Sequence, residues 1–129
     1  MSTRIQGQMI VAREIHFDEH ELQHSIISVV NKHKMTTFPS VAIFDVLLKF
    51  SWEGDDHQEA ELTVVNPDDE IVYSHPVSIS NKRSKDAPPG MELSLNTRFV
   101  TLKKGVYVYQ LLYTDTQDEP VFTYPVLVE

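Results

Sequence analysis

The segment VAIFDVLLKFSW, residues 41–52, decides the fold, because its side chains alternate in character along its whole length. One face carries only apolar groups: Ala42, Phe44, Val46, Leu48, Phe50 and Trp52. The other face mixes polar and apolar groups: Asp45, Lys49 and Ser51 with Val41, Ile43 and Leu47. Successive side chains of a β-strand point to opposite sides, so a period of two predicts a long strand with one buried face rather than a helix.

The same alternation recurs along most of the chain. Two weaker runs precede the central segment and five follow it, at residues 6–15 and 25–31, then 58–65, 71–79, 91–99, 106–114 and 121–128. Short connections containing Gly, Pro, Asn or Asp separate most of them, and regular strand spacing of about 8–12 residues is typical of a sandwich or barrel. The sequence therefore predicts an all-β fold, with one domain over residues 1–129 and seven to nine strands in an antiparallel β-sandwich.

Two residues give more specific structural predictions. Pro76 has no backbone N–H to donate, so the run at 71–79 is predicted to form an edge strand. In LKKGVYVY, residues 102–109, a glycine turn places Tyr107 two residues into the penultimate strand. That placement is typical of a tyrosine corner, in which the hydroxyl bonds to upstream backbone. The alternative is an ordinary aromatic residue of the strand.

Composition and charge limit the classes of function. The chain has 129 residues, of which 41% are hydrophobic and 23% charged, as in ordinary globular proteins. It has no cysteine, which excludes thiol chemistry and fits a reducing compartment. The N-terminal segment has no signal-peptide pattern and no apolar run reaches the roughly 20 residues of a membrane span, so we expect a cytoplasmic protein that does not bind membranes. The net charge of −8 opposes binding to nucleic acid.

One pentapeptide has the form of a catalytic motif. His20, Glu21 and His24 in HELQH match H-E-x-x-H, which on a helix places two histidines on one face to bind Zn²⁺ and a glutamate to act as general base. Asp18 would cap that helix. A small zinc hydrolase is therefore one alternative function, and it requires a helix over residues 18–31.

Several features oppose the zinc interpretation. Asp18 and Glu19 stand where such a helix normally presents bulky apolar residues, and no downstream helix offers the third protein ligand that a zinc site needs. The rest of the chain is strand and turn, and a short His- and Glu-rich pattern can arise by chance. We therefore expect residues 20–24 to form a solvated turn between two strands, with no catalytic residue and no cofactor.

The acidic turns suggest a second alternative. If successive turns alternate between the ends of the sandwich, the connections at 53–56, 81–90 and 115–119 share one end. Carboxylates from two of them would then converge as oxygen ligands for Ca²⁺: Glu53, Asp55, Asp56, Asp115, Asp118 and Glu119. Lys82, Arg83 and Lys85 enter the same region and offset that charge. A calcium-dependent surface-binding domain is the resulting hypothesis.

The layout as a whole resembles a bacterial family of small proteins described only as a domain of unknown function. The resemblance rests on short elements spread over nearly the whole chain: SIISVVN at 25–31, Phe38-Pro39, the strand from Val41, VVNPDDEIVY at 64–73, and Gly105-Val106-Tyr107. It implies an immunoglobulin-like β-sandwich and places HELQH in a hairpin connection. It implies no catalytic residue and no ligand.

The leading functional hypothesis is a non-enzymatic binding or interaction module. Few residues form catalytic patterns, whereas strands carry apolar groups beyond their core faces. Val41, Ile43 and Leu47 lie opposite the core face of their strand, and Tyr109, Leu111 and Tyr113 accompany Tyr107. Apolar groups on both faces suggest strands that a partner covers. We expect that partner to be a protein, with a homodimer as one possibility.

Overall fold

The computed structural model describes residues 5–52, 57–83, 85–115 and 119–129, which contain nine strands and no helix. The strands are β1 (Ile5–Asp18), β2 (Gln23–Val29), β3 (Lys32–His33), β4 (Ser40–Trp52), β5 (Gln58–Val65), β6 (Ile71–Ile79), β7 (Gly90–Thr101), β8 (Gly105–Tyr113) and β9 (Phe122–Val128). They form a four-stranded sheet in the order β2-β1-β4-β7 and a five-stranded sheet in the order β3-β9-β8-β5-β6. The all-β prediction is confirmed. In this part of the chain no helix could span a membrane.

Strand β4 is the centre of the four-stranded sheet, between β1 and β7. Its predicted apolar face is buried throughout, from Ala42 to Trp52. The apolar face continues onto both neighbouring strands, because Leu48 pairs with Met9 of β1 and with Leu93 of β7. The alternating pattern therefore placed the core face of this sheet correctly.

The five-stranded sheet supplies the other half of the core. Tyr107, Tyr109 and Leu111 of β8 are fully buried and point toward the four-stranded sheet. The ring of Phe99 lies 5.7 Å from that of Tyr107, and Thr97 Oγ1 lies 2.7 Å from the Tyr109 hydroxyl. Burial raises the pKa of Tyr109 far above its ordinary value, so the phenol stays neutral. The two sheets thus share one core.

Both specific structural predictions are confirmed. Strand β6, which carries Pro76, forms one edge of the five-stranded sheet. The Tyr107 hydroxyl donates a hydrogen bond to the carbonyl oxygen of Lys103, at 2.8 Å. This bond ties the start of β8 to the turn that precedes it, as the tyrosine-corner interpretation predicts.

Three features differ from the sequence predictions. Strand β1 extends to Asp18 instead of ending at Ile15, because residues 14–18 pair with β2. Strand β3 has only two residues, and pairing with β9 alone makes it a strand. That pairing is parallel, whereas every other strand pair among the described residues is antiparallel.

The β1–β2 hairpin bends over the outer face of the four-stranded sheet. The backbone N–H of Ile15 donates to Asp45 Oδ2 at 2.9 Å, and His24 Nδ1 lies 3.6 Å from Glu92 Oε2. Leu47, which we expected a partner to cover, is buried beneath the tip of this hairpin. The expectation is therefore wrong for Leu47, while Val41 and Ile43 stay about half exposed.

Candidate protein-binding site

The HELQH segment spans the tight turn of the β1–β2 hairpin and the first two residues of β2. Strand β1 ends at Asp18 and β2 begins at Gln23. Asp18 Oδ1 accepts hydrogen bonds from the backbone N–H groups of His20 and Glu21, at 2.9 and 3.2 Å. Asp18 thus caps a turn rather than a helix, which it can do because its short side chain reaches backbone two and three residues ahead.

This geometry separates the residues of the zinc hypothesis. His20 is exposed in the turn, whereas the His24 side chain is only 10% exposed and its ring centre lies 4.8 Å from that of Phe17. The helix over residues 18–31 is absent, so that prediction is wrong. The turn that we expected over residues 20–24 covers only residues 19–22, because Gln23 and His24 pair with β1 as the start of β2. Within the described ranges no three His, Cys, Asp or Glu residues are grouped to hold a metal ion.

The calcium hypothesis falls mostly on residues outside the described ranges, namely Glu53, Asp55, Asp56 and Asp118. The strand ends that border those turns do share one end of the sandwich, since Ser51 pairs with Gly90 and Gln58 with Ile79. Asp115 Oδ1 accepts a hydrogen bond from Gln58 Nε2 at 3.3 Å. The predicted common end is confirmed, and the calcium site stays a prediction.

A serine, a histidine and a glutamate also meet on the surface, which the sequence did not indicate. Ser78 Oγ donates to Glu59 Oε1 at 2.9 Å and lies 3.4 Å from His57 Nε2, and the same histidine nitrogen contacts Glu59. These bonds lower the pKa of Glu59. A nucleophile would need the acid and the serine on opposite ring nitrogens. The cluster is therefore a surface hydrogen-bond network.

The most unusual surface of the molecule is strand β2. Six of its seven residues are exposed, although the strand is rich in apolar, β-branched side chains. Ile26, Ile27 and Val29 lie on both faces of the strand and remain one third to one half exposed. Phe17 and Leu22 extend this apolar surface onto β1 and the hairpin turn. Exposed apolar groups concentrated in one element are typical of an interaction site.

The backbone of the hairpin is also strained. Leu22 has a φ of 54° and Ser28 a φ of 60°, which are left-handed conformations that non-glycine residues rarely adopt. Leu22 combines this strain with a side chain that is 71% exposed. Leu22 is therefore unfavourable in both backbone and side chain, and strained non-glycine residues cluster at functional sites.

The four sheet edges differ in how they are protected. Proteins protect edges with proline, charged side chains or very short strands, because unpaired backbone groups attract other strands. Strand β6 has Pro76, β7 has exposed Glu92 and Arg98, and β3 has two residues. Strand β2, with the sequence QHSIISV, has neither proline nor a formally charged side chain. It is the least protected edge in the described part of the chain.

Sequence reasoning recognised β2 as a strand but missed its exposure. The available signal was the run SIISVV, in which apolar residues occupy consecutive positions and therefore both faces. Tyr109 and Leu111, which suggested a second apolar face, are instead fully buried in the core. Exposed apolar side chains therefore remain on β4 at Val41 and Ile43, and the hairpin adds a second exposed apolar surface.

Comparisons with known proteins give only distant structural similarity. No protein-family model and no curated protein matches this sequence. The beta-glucosidase from Listeria innocua aligns in its glucose complex at 8% identity and a TM-score of 0.49, and in its isofagomine complex at 8% identity and 0.48. Each alignment covers 98% of this chain but 16% of the enzyme chain, so this chain spans about one sixth of that protein.

A second kind of match is closer in length. Northeast Structural Genomics Consortium target SoR45 aligns at 8% identity with a TM-score of 0.35, over 99% of this chain and 83% of that chain. Similarities at this level carry no argument about the activity of this chain.

Proposed function

We propose that this chain is a non-enzymatic protein-interaction module with an immunoglobulin-like β-sandwich fold, and that a strand of a second copy adds to β2. The proposal includes a cytoplasmic location and membership of the family of small bacterial proteins that the sequence resembles. The exposure of β2, an apolar edge strand without protection, is the single observation that carries it.

Strand order supports the immunoglobulin-like assignment. In such folds strands A, B and E are neighbours in one sheet, and C, F and G in the other. Here β1, β4 and β7 occupy the A, B and E positions, and β5, β8 and β9 occupy C, F and G. The hydrogen bond from the Tyr107 hydroxyl to Lys103 supplies the tyrosine corner expected near the start of strand F.

Backbone chemistry supports a strand as the partner element. An edge strand has one row of unpaired N–H and C=O groups that another strand can satisfy. In β2 this row is extended over residues 23–27, before the left-handed Ser28. Main-chain hydrogen bonds would then supply affinity, while Ile26, Ile27 and Val29 would supply side-chain contacts on the two faces.

The sequence of β2 limits the charge repulsion that opposes a second copy as the occupant. The chain carries a net charge of −8, so most of its surface repels an identical molecule. The seven residues of β2 contain no Asp, Glu, Lys or Arg, and an antiparallel pair of β2 strands therefore brings no like charges into direct opposition. A two-fold axis would make every contact twice, as in most homodimers.

Sedimentation velocity over a series of protein concentrations tests this proposal. We expect the wild type to shift from monomer to dimer as concentration rises, and Ile27→Lys to remain monomeric because a lysine on an edge strand opposes pairing with another strand. Val106→Lys is the matched control, since Val106 is 47% exposed and Ile27 is 46% exposed. A wild type that remains monomeric, or an Ile27→Lys variant that still dimerises, would contradict the proposal.

A further inference from the structure

The outer face of the five-stranded sheet contains a groove that the β2 proposal does not use. It follows β5 and β8, where Glu61 pairs with Leu112 and Thr63 with Gln110. Ile71 of β6 pairs with Val65 and adds an apolar wall. The cavity has a volume of about 410 Å³, which is large enough for a long side chain together with part of its backbone.

The charged groups of this groove are all acidic. Among the described residues that line it, Glu61 and Asp69 carry charge, and neither Lys nor Arg lines it. Glu61 accepts a hydrogen bond from the Ser74 hydroxyl, which fixes the carboxylate. Asp68 in the same turn forms an ion pair with Lys103 at 2.6 Å, whereas Asp69 faces the groove.

The turn that presents Asp69 is well defined. Asn66 Oδ1 accepts hydrogen bonds from the N–H groups of Asp68 and Glu70, both at 2.9 Å, and the Asn66 carbonyl accepts one from Asp69 at 3.0 Å. These bonds hold Asp69 in a left-handed conformation with a φ of 62°. The carboxylate position is therefore set by the turn rather than by a flexible loop.

A second observation, independent of charge, points to a ligand. Thr63 lines the groove and is 2% exposed, and its Oγ1 forms no hydrogen bond with any described residue. A buried hydroxyl without a partner destabilises the fold, because it has lost its hydrogen bonds to water. Such groups are rare, and each needs an explanation such as strain, a functional role, or a bound water or ion. Gln110, which lies opposite Thr63, is the flexible side chain that a ligand would displace.

We propose that this groove binds a lysine or arginine side chain from a basic, extended segment of a partner polypeptide. The methylene stem of one basic residue would pack on Ile71 and Val65 with its cation at Asp69. A second basic residue of the segment would meet Glu61, which lies four residues from Val65 along β5. Thr63 Oγ1 and the Gln110 amide would bond to the backbone of the segment. The net charge of −8 attracts such a segment from a distance, since like charges within the chain reinforce each other.

An NMR titration tests the proposal, using an acetylated and amidated peptide of sequence Val-Lys-Val-Lys-Val. We expect the backbone amides of Thr63 and Gln110 to shift, and the same peptide with Glu in place of Lys to cause no shift. The variant Glu61→Gln/Asp69→Asn should bind the lysine peptide about tenfold more weakly, since it removes both charge-assisted contacts. Asn tolerates the left-handed conformation at position 69, so the turn is preserved.

Two further variants separate local contacts from general attraction. Glu14→Gln/Glu19→Gln removes the same number of negative charges as Glu61→Gln/Asp69→Asn, but from the hairpin. This variant should bind the peptide like the wild type. Thr63→Val removes only the hydroxyl; it should weaken peptide binding while the melting temperature stays the same or rises. The proposal would be overturned if the peptide caused no chemical-shift change at Thr63 and Gln110, or if both charge variants lost the same amount of peptide affinity. Wild-type affinity in Thr63→Val would overturn it as well.

Discussion

Strands β4 and β2 belong to the same sheet and are both rich in apolar and β-branched residues, yet their surroundings are opposite. One face of β4 is fully buried between the two sheets, while six of the seven residues of β2 are exposed. Strand β4 has a neighbour on each side, whereas β2 pairs with β1 alone. The difference shows that apolar content predicts a strand, but the position of the strand determines what its side chains contact.

This difference also distinguishes residues that stabilise the fold from residues that are available for binding. Residues that are apolar and buried are explained by the hydrophobic effect, which contributes about 25 cal/mol for each Å² of apolar surface removed from water. Ile27 and Val29 gain only part of this stabilisation in the monomer, because half of each side chain stays in water. Their apolar character is explained if an interaction outside the monomer buries them.

The largest expected effect is in the core face of β4. Phe44→Ala removes a fully buried ring and should lower the free energy of unfolding by about 3–5 kcal/mol. Ile27→Ala in β2 should lower it by about 1 kcal/mol or less, because the side chain is half exposed. Urea denaturation at low protein concentration measures both, and similar losses would remove the distinction between the two strands.

A smaller effect is expected where the two sheets are joined by a hydrogen bond. Thr97 Oγ1 lies 2.7 Å from the Tyr109 hydroxyl and donates to the carbonyl oxygen of Phe44 at 2.8 Å. Thr97→Val leaves these buried groups unpaired and should cost about 1–3 kcal/mol. Thr97→Ser keeps the hydroxyl and should lose clearly less. Equal losses in thermal unfolding would show that packing, not the hydrogen bond, matters at this position.

A substitution in the hairpin turn should raise the free energy of unfolding instead of lowering it. Leu22→Asn accommodates the left-handed backbone more easily and should raise the free energy of unfolding by about 1 kcal/mol. It also removes an exposed apolar side chain, so dimerisation should weaken. Leu22→Ala should weaken dimerisation without the gain in stability. If Leu22→Asn dimerises like the wild type, Leu22 is not part of the interface.

The smallest effect concerns pH. Burial, with a further contribution from the Arg13 guanidinium, lowers the pKa of His33, whose ring packs against Phe44 with centres 5.2 Å apart. As the pH falls, His33 of the unfolded chain takes up a proton near the ordinary histidine pKa of about 6.5. His33 of the folded chain takes it up only at a lower pH. The free energy of unfolding should therefore be highest above about pH 6.5 and fall as the pH drops toward the lower pKa of the folded state.

His33→Gln should remove this part of the pH dependence, which denaturation midpoints at about pH 7.5 and about pH 5.5 would measure. The exposed His75 on β6 provides the control variant, His75→Gln. An unchanged slope in His33→Gln would show that other groups cause the dependence.

Much of the fold could be predicted from local alternation. The bounds of β5 and β6 agree with the predictions at 58–65 and 71–79, and β4 differs by one residue. Strand β3 could not be predicted, because its two residues become a strand only through pairing with β9. The end of β1 was missed for the same reason, since residues 16–18 have no apolar alternation and are held by β2.

The candidate sites were harder to predict. The turn at the start of HELQH was placed correctly, because Asp18 and the polar residues around it have strong turn chemistry. Its end was not, because Gln23 and His24 are held in β2 by pairing with β1. The exposure of β2 depends on which edge of the sheet the hairpin occupies, and sequence alternation carries no information about that. The groove of Glu61, Thr63 and Asp69 depends on the register of three strands and the conformation of one turn.

The central claim is that strand β2 pairs with β2 of a second molecule, and hydrogen exchange of its backbone amides tests this most directly. Alternate N–H groups of β2 point away from β1 and are unpaired in the monomer. Exchange should be measured by NMR at low and at high protein concentration. The account predicts that these amides become protected as concentration rises, while the amides of β4 do not change. Outward amides of β2 that exchange equally fast at both concentrations would contradict it.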